Sequence, residues 1–433
     1  MIQTLSVKRR MLIIFSIIFA GEMIFSLPFH VVRFFRPTLL EAFDLTNAQL
    51  GDIFALYGIM AMLAYFPGGA IADRFSGRGL MSFSLLMTAL GGIYYVQIPD
   101  KAMLAVLFGY WGVTTILLFW ASMIKMTSLW GGEATQGKAF GFLDGGRGLI
   151  AAGVATVAVF ILSLWLPTTQ GSLNVEQQRE ALSAIIAFYS LMTLLAAALV
   201  LIAIPKDEFG QQQNEATATF AKNNTIDTII TVVKQPTVWL QALIVMTAYC
   251  GFKGLDYYGL YATKVLELNE LAAAQLVAYS TYLRPVAAIT AGIIADRLQV
   301  GRVITTGFLL LGVSYGLFLL LQPGSANASG MIQANLLFSI ILVFAIRGIY
   351  FALLQKSKLP SHLTGTSVGV ISVVGFTPDI FFASVAGRLL DSAPGIVGFN
   401  RLFLLLACLA MFGFMLSFVL AKRISSGKYK NPA

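Results

Sequence analysis

The sequence predicts an all-α membrane protein: twelve transmembrane helices in two six-helix, pseudo-repeated bundles. Three observations carry that expectation. The 433 residues are 58% hydrophobic and 11% charged, with mean hydropathy +0.80, whereas a soluble domain carries about 25% charged residues. The apolar residues fall in runs of about 20, the length that crosses a bilayer as a helix. Finally, GAIADRFSGRG at residues 69–79 has a later counterpart, GIIADRLQVGR, at residues 292–302.

The chain opens with Lys8-Arg9-Arg10 and then MLIIFSIIFAGEMIF. The apolar stretch continues past Glu22 without a small-residue cleavage signature, so it reads as a retained first span, 11–36, and not as a signal peptide. The second span, 47–72, ends in Ala-Asp-Arg. The third to sixth follow at 80–97, 103–127, 138–165 and 183–204. Residues 205–235 are polar and read as a cytosolic connector between bundles 1–204 and 236–433. The second half repeats the scheme at 236–262, 272–296, 300–322, 331–356, 365–390 and 399–422, and its second span again ends in Ala-Asp-Arg.

The net charge of +9 would suggest nucleic acid in a soluble protein. Here it follows from the bias of Lys and Arg toward cytoplasmic loops. With the N-terminus inside, seventeen loop or tail cations lie on the inner side, against Lys101, Arg179, Lys264, Arg388 and Arg401 outside. This predicts cytoplasmic termini and an even number of spans. No nucleic-acid partner is expected. Cys250 and Cys408 both sit in apolar runs and imply neither a disulfide framework nor a metal site. No cofactor is expected, and no nucleotide loop or nucleophile–base arrangement points to an enzyme.

The two Ala-Asp-Arg sites fall at the inner ends of spans 2 and 8, the second span of each half. A repeat in one register and one orientation is the mark of parallel repeats in transporters. The chain resembles the major facilitator superfamily, whose signature after the second helix is Gly-x-x-x-Asp-Arg-x-Gly-Arg/Lys-Arg/Lys. Gly69, Asp73 and Arg74 match it. Ser76 stands where glycine is usual, and Arg78 is the single basic residue that follows. The second copy keeps Gly292, Asp296 and Arg297 before Gly301-Arg302. The resemblance covers essentially the whole chain and implies alternating-access transport. Gly69 is expected to permit close helix approach, and Asp73, Arg74, Arg78, Asp296 and Arg297 to act in gating. The plainer alternative is a solvated turn with anchoring arginines.

Seven cations remain inside expected spans: Arg33, Arg36, Lys125, Arg147, Lys253, Arg284 and Arg347. Charge at membrane depth is costly and usually faces a partner or a water-filled path. At about 1.5 Å per residue, Glu22 lies near the midplane, His30 in the outer part, and Arg36 near the outer mouth beside Pro37. Lys253 and Asp256 lie in the outer half, Arg284 about halfway, and Asp379 near the middle of span 11. The repeat offset of 223 (292 − 69) maps Lys253 and Asp256 onto His30 and Arg33. Each pair is spaced i,i+3 on one helical face.

Arg33, Lys253, Arg284 and Arg347 are therefore the leading substrate ligands. Arg clamps carboxylate or phosphate bidentately, and Lys acts as a point charge. His30 is added because imidazole commonly changes charge near neutral pH; Tyr249 and Tyr257 offer hydroxyls and rings. Against this stand internal neutralisations: Arg33 or Lys253 by Asp256, Arg284 by Asp379, and Arg147 by Asp144. Lys125 has the plain alternative of snorkelling to the inner interface. Glu22, Asp256 and Asp379 are candidate proton-coupling acids, with a cross-helix salt bridge the alternative for Glu22. Asp144 and Arg147, in GFLDGGRG, read as a packing or gating element.

The cation pattern is similar to the organic-anion and sugar-phosphate branch of the superfamily. There, basic residues on helices 1 and 7 bind substrate, and Arg33 or Arg36 with Lys253 would be the counterparts. Helix 7 departs by offering Lys with Asp256 beside it. Nitrate transporters use arginines on helices 2 and 8; Arg284 fits the second position, while span 2 offers only Tyr57, Met60 and Tyr65. The expectation is a monomeric, proton-coupled transporter of a small organic anion in a bacterial inner membrane. Its partners would be that anion, protons and the lipid bilayer. Drug or lipid efflux, and a receptor or scaffold without transport, are the alternatives.

Overall fold

A computed structural model describes residues 6–132, 136–165, 173–205, 230–321, 323, 326–353 and 364–425. Most of the expected connector, and with it Lys206 and Lys222, lies outside these residues. The first half comprises α1 (Val7–Met23), a π-turn at Ser26–His30, α2 (Val31–Ala42), α3 (Asn47–Arg74), α4 (Gly77–Tyr95), α5 (Lys101–Ile116), α6 (Trp120–Gly131), α7 (Gln136–Ser163) and α8 (Val175–Ala203). The second comprises α9 (Pro236–Gly254), a 3-10 turn at Leu255–Tyr257, α10 (Tyr258–Lys264), α11 (Glu270–Ser280), α12 (Leu283–Leu298), α13 (Val300–Leu320), α14 (Ala326–Ile349), α15 (Thr364–Gly375), α16 (Pro378–Asp391) and α17 (Ile396–Ser425).

Among the described residues, ten helical stretches are long and apolar enough to cross a membrane, and a bent pair, Val7–Met23 with Ser26–Ala42, raises the number to eleven. The expected third span corresponds to α4, a 19-residue helix whose apolar character is diluted by Arg78, glycines, serines and a Tyr-Tyr end. Helix starts follow the sequence. Thr46 and Gln49 form a reciprocal capping box on α3, as Asn174 and Gln177 do on α8; each satisfies backbone N–H groups that have no partner within the helix. Pro236 and Pro378 sit at the first turns of α9 and α16, where the missing N–H costs nothing.

The expected first span is not one straight rod. It is bent by 45° where Pro28, inside Ser26–His30, removes a helical hydrogen bond. The eleventh is likewise interrupted at Phe376–Thr377, between α15 and α16.

Two compact units are present: Met1–Thr217 with Gly259–Tyr282, and Ala218–Tyr258 with Leu283–Ala433. Within the first, α3 packs on α5, α4 on α8, and α1 on both α7 and α8. Within the second, α12 packs on α14, α13 on α17, and α9 on both α15 and α17. Numbered as spans, these are the same pairings: 2 with 4, 3 with 6, 1 with 5 and 6. The halves thus share a packing plan as well as a motif. Many side chains exposed on these helices are large and apolar, such as Ile59, Leu63, Phe160 and Met415, as lipid-facing surfaces require. Among the described stretches of spanning length, Pro236–Lys264 is the most enclosed, 72% buried.

Candidate functional site

Each unit holds a buried ionic cluster on its first span. In the first, Glu22 accepts from Arg147 Nε at 2.8 Å through Oε2, and Oε1 lies 3.0 Å from His30 Nε2. Glu22 and His30 are eight residues apart, about 12 Å along a straight helix; the π-turn and bend between them bring the side chains together. Gly21 makes room for the third member. A Cβ there would stand 2.7 Å from Met123 Sδ and 3.4 Å from Arg147 Cδ. The Arg147 guanidinium also lies over the Phe25 ring at 5.6 Å, and the His30 ring meets Tyr189 edge-on at 6.0 Å. Of the two expectations for Glu22, the cross-helix salt bridge is present. Arg147 takes Glu22, on α1, as an ion-pair partner.

In the second unit, Lys253 Nζ lies 3.3 Å from Asp379 Oδ1 and 3.6 Å from Asp256 Oδ2. Tyr249 donates to Asp379, its hydroxyl lying 3.0 Å from both carboxylate oxygens. One helical turn links Tyr249 to Phe252, and their rings stack at 5.8 Å. Arg347, from α14, places its guanidinium 3.6 Å from the Phe252 centroid and 5.9 Å from that of Tyr249. Tyr249 thus links the two cations' surroundings: its hydroxyl shares Asp379 with Lys253, and its ring, stacked on Phe252, lies beside Arg347.

The remaining predicted residues divide. Tyr257 donates to the Ala383 carbonyl at 3.2 Å, which braces the turn after α9 against α16. Arg284 is buried near the start of α12, and Arg33 is half-buried on α2. Arg36 is fully buried, not at an open mouth, and its Nε donates to Asn47 Oδ1 at 3.2 Å. Asp144 is half-buried on α7.

Arg74 is exposed in the last turn of α3, and the Asp73 side chain lies outside the described residues; Asp296 and Arg297 are exposed at the end of α12. A Cβ on Gly69 would meet nothing within 4 Å, so the expected close approach is not made there. It is made one residue earlier, where a Cβ on Gly68 would lie 2.7 Å from the Leu117 carbonyl oxygen.

The signature region is nevertheless tied down. Arg78 donates from Nε and Nη2 to the Leu201 carbonyl at 3.0 and 2.6 Å, closing the end of α8. Lys125 does not simply snorkel: its ammonium donates to the Ala72 carbonyl at 2.9 Å, at the end of α3. Cations at such ends satisfy carbonyls that lack helical partners and complement the helix dipole. Ser76, the departure from the usual glycine, caps α4 by accepting from Gly79 N–H at 3.5 Å.

Residues 11–383 match the Major Facilitator Superfamily. The chain belongs to that superfamily. It is a transporter of that fold, not an enzyme. It is 28% identical over 411 residues to the inner membrane protein YihN of Escherichia coli K12, covering 94% of each chain. It is 24% identical over 404 residues to the nitrate/nitrite transporter NarU of Salmonella typhimurium, covering 85% of this chain and 83% of that one. Among solved structures, a bacterial homolog of the human lysosomal transporter Spinster shares the fold at TM-score 0.73 and 12% identity, covering 99% of this chain and 100% of that one. A D-xylose-proton symporter does so at TM-score 0.72 and 14% identity, over 94% and 96%.

Sequence reasoning about this superfamily member missed Phe252, Phe25, Tyr189, and the Lys125–Ala72 and Arg78–Leu201 bonds. Phe252 alone left a usable trace, since it directly precedes Lys253 in a charged stretch of span 7.

Proposed function

We propose that this protein is a proton-coupled secondary transporter of a small organic anion, a carboxylate or sugar acid in preference to a phosphate ester, working by alternating access. In this reading twelve spans form two six-helix bundles, 1–204 and 236–433, joined by a cytoplasmic connector at 205–235. Both termini are cytoplasmic, the membrane is a bacterial inner membrane, and the working unit is a monomer. The names of YihN, an inner membrane protein, and of NarU, a transporter of inorganic anions, support the location and the charge preference.

The observation that carries the anion assignment is the setting of Tyr249, whose hydroxyl donates to the carboxylate paired with Lys253 and whose ring, stacked on Phe252, lies beside Arg347. Two cations held at membrane depth are costly, and an anionic ligand recovers part of that cost. The signature motifs at residues 69–79 and 292–302 serve gating in this scheme, through Gly69, Asp73, Arg74, Arg78, Asp296 and Arg297, with Asp144 and Arg147 behind them. Arg33, Arg284, His30 and Tyr257 complete the set of ligand candidates.

The test is a survey of anions with the purified protein, scored first by thermal stabilisation and then by proteoliposome uptake with and without a pH gradient. Stabilisation by sugar acids, followed by gradient-driven uptake, is the expected result. Stabilisation by lipophilic cations alone would reject the assignment in favour of efflux of drugs or lipids.

A further inference from the structure

We infer that Asp379 is a built-in competitor for the substrate anion: it holds Lys253 when the site is empty, and leaves as the protonated acid when an anion takes its place. The inference rests on the anion reading above and deepens it by naming the coupling acid among Glu22, Asp256 and Asp379.

The three acids differ in how they are held. Both oxygens of Glu22 are engaged, one by the Arg147 guanidinium at 2.8 Å and one by His30 at 3.0 Å, and its side chain is only 4% exposed. A carboxylate tied to a guanidinium across two packed helices is a brace. Asp256 sits three residues from Lys253 on the same chain segment, 7% exposed. It cannot leave without rewinding the turn that follows α9. Asp379 comes from a different helix and is the most accessible of the three at 18%. It occupies the first turn of α16, immediately after Pro378 and the break at Phe376–Thr377, so the segment carrying it has a hinge already in place. Its partners are a neutral hydroxyl, Tyr249, and the lysine itself.

The groups facing Asp379 support one exchangeable charge. From α9 and its following turn these are Tyr249, Cys250, Lys253 and Asp256, with Arg347 beyond the Tyr249 ring. Helix α17 also packs on α16 and carries no charged residue between Arg401 and Lys422. Lys253 therefore stands between two carboxylates. A third anion cannot be added at this depth without an uncompensated negative charge. The balanced step is a substitution: the Lys253–Asp379 ion pair opens, Lys253 pairs with the substrate anion, and Asp379 takes one proton from the aqueous side open at that moment. One proton moves per anion, and transport of a monoanion is electroneutral.

The test measures binding of gluconate, glucuronate and glycerol 3-phosphate to the purified full-length protein across pH, then gluconate uptake into proteoliposomes under an imposed pH gradient. For wild type, affinity is expected to rise as pH falls, approaching about tenfold per pH unit for one linked proton. In Asp379→Asn the slope should vanish, binding at alkaline pH should become tighter than in wild type, and gradient-driven accumulation should be lost. Asp379→Glu, which restores a titratable group, should restore the slope. Tyr249→Phe, a milder change should the asparagine variant fold poorly, should shift the pH window while keeping the slope. Anion binding with an unchanged pH slope in Asp379→Asn overturns this inference alone. Loss of anion binding in a folded Asp379→Asn makes Asp379 a ligand and overturns it too. Failure of every anion to bind wild type overturns the anion reading, and this inference with it.

Discussion

Glu22 and Arg147 form a 2.8 Å ion pair between α1 and α7, the counterpart in the first unit of the Lys253–Asp379 pair between α9 and α16 in the second. Both join the first span of a half to its fifth. The acid and the base have changed places between the halves.

The brace role of Glu22 predicts asymmetric mutational costs. Arg147→Met leaves a buried carboxylate short of its cation and is expected to cost about 3–5 kcal/mol. The double variant Glu22→Gln/Arg147→Met should recover most of that loss. Thermal unfolding in detergent reads both; a double variant no better than the single would show that the two side chains do not act as a pair.

Phe252 should matter to Arg347 more than its apolar nature suggests. Phe252→Leu keeps bulk but removes the ring face 3.6 Å from the guanidinium. A cation–π contact contributes about 0.5–1 kcal/mol when exposed and about 2 kcal/mol or more when desolvated, so anion affinity is expected to fall about tenfold or more. Arg347→Lys should weaken uptake further, since an ammonium keeps the charge and loses the planar fork. Transport kinetics that do not change in either variant would remove Arg347 from the ligand set.

Adjacent glycines should part company. Gly68→Ala places a methyl 2.7 Å from the Leu117 carbonyl oxygen and is expected to destabilise by about 1–3 kcal/mol as α3 is pushed from α5. Gly69→Ala meets open space, so stability should change by about 0.5 kcal/mol or less. A transport defect in Gly69→Ala with unchanged unfolding would then belong to gating and not to packing.

Lys125→Met should lower stability by about 1.5–3 kcal/mol, the contribution of a hydrogen bond to a charged group, because the Ala72 carbonyl loses its donor. Lys125→Arg keeps a donor and should restore much of the loss. Equal unfolding temperatures for the methionine variant and wild type would show the ammonium to be idle.

The sequence made the membrane class and the doubled plan legible, because span length and the paired Ala-Asp-Arg sites are local signals. Lys253–Asp256 is an i,i+3 pair that periodicity can find, whereas Asp379, expected from the sequence to neutralise Arg284, meets Lys253 only in three dimensions. What stayed hidden were partners on other helices. Nothing near Glu22 in the chain announces Arg147, 125 residues on. Backbone acceptors were equally invisible, since Lys125 and Arg78 bind carbonyls of Ala72 and Leu201 that any residue would supply. The break in the first span was written in Pro28, but its consequence, the meeting of Glu22 and His30, requires three dimensions.

The reversed polarity of the two ion pairs bears on how far the halves are interchangeable. The two halves share their helix pairings, yet their ion pairs do not fall at equivalent repeat positions. Val245 stands at the position that the offset assigns to Glu22 (245 − 223). A chimera joining two copies of either half would therefore inherit one ion pair twice and the other not at all.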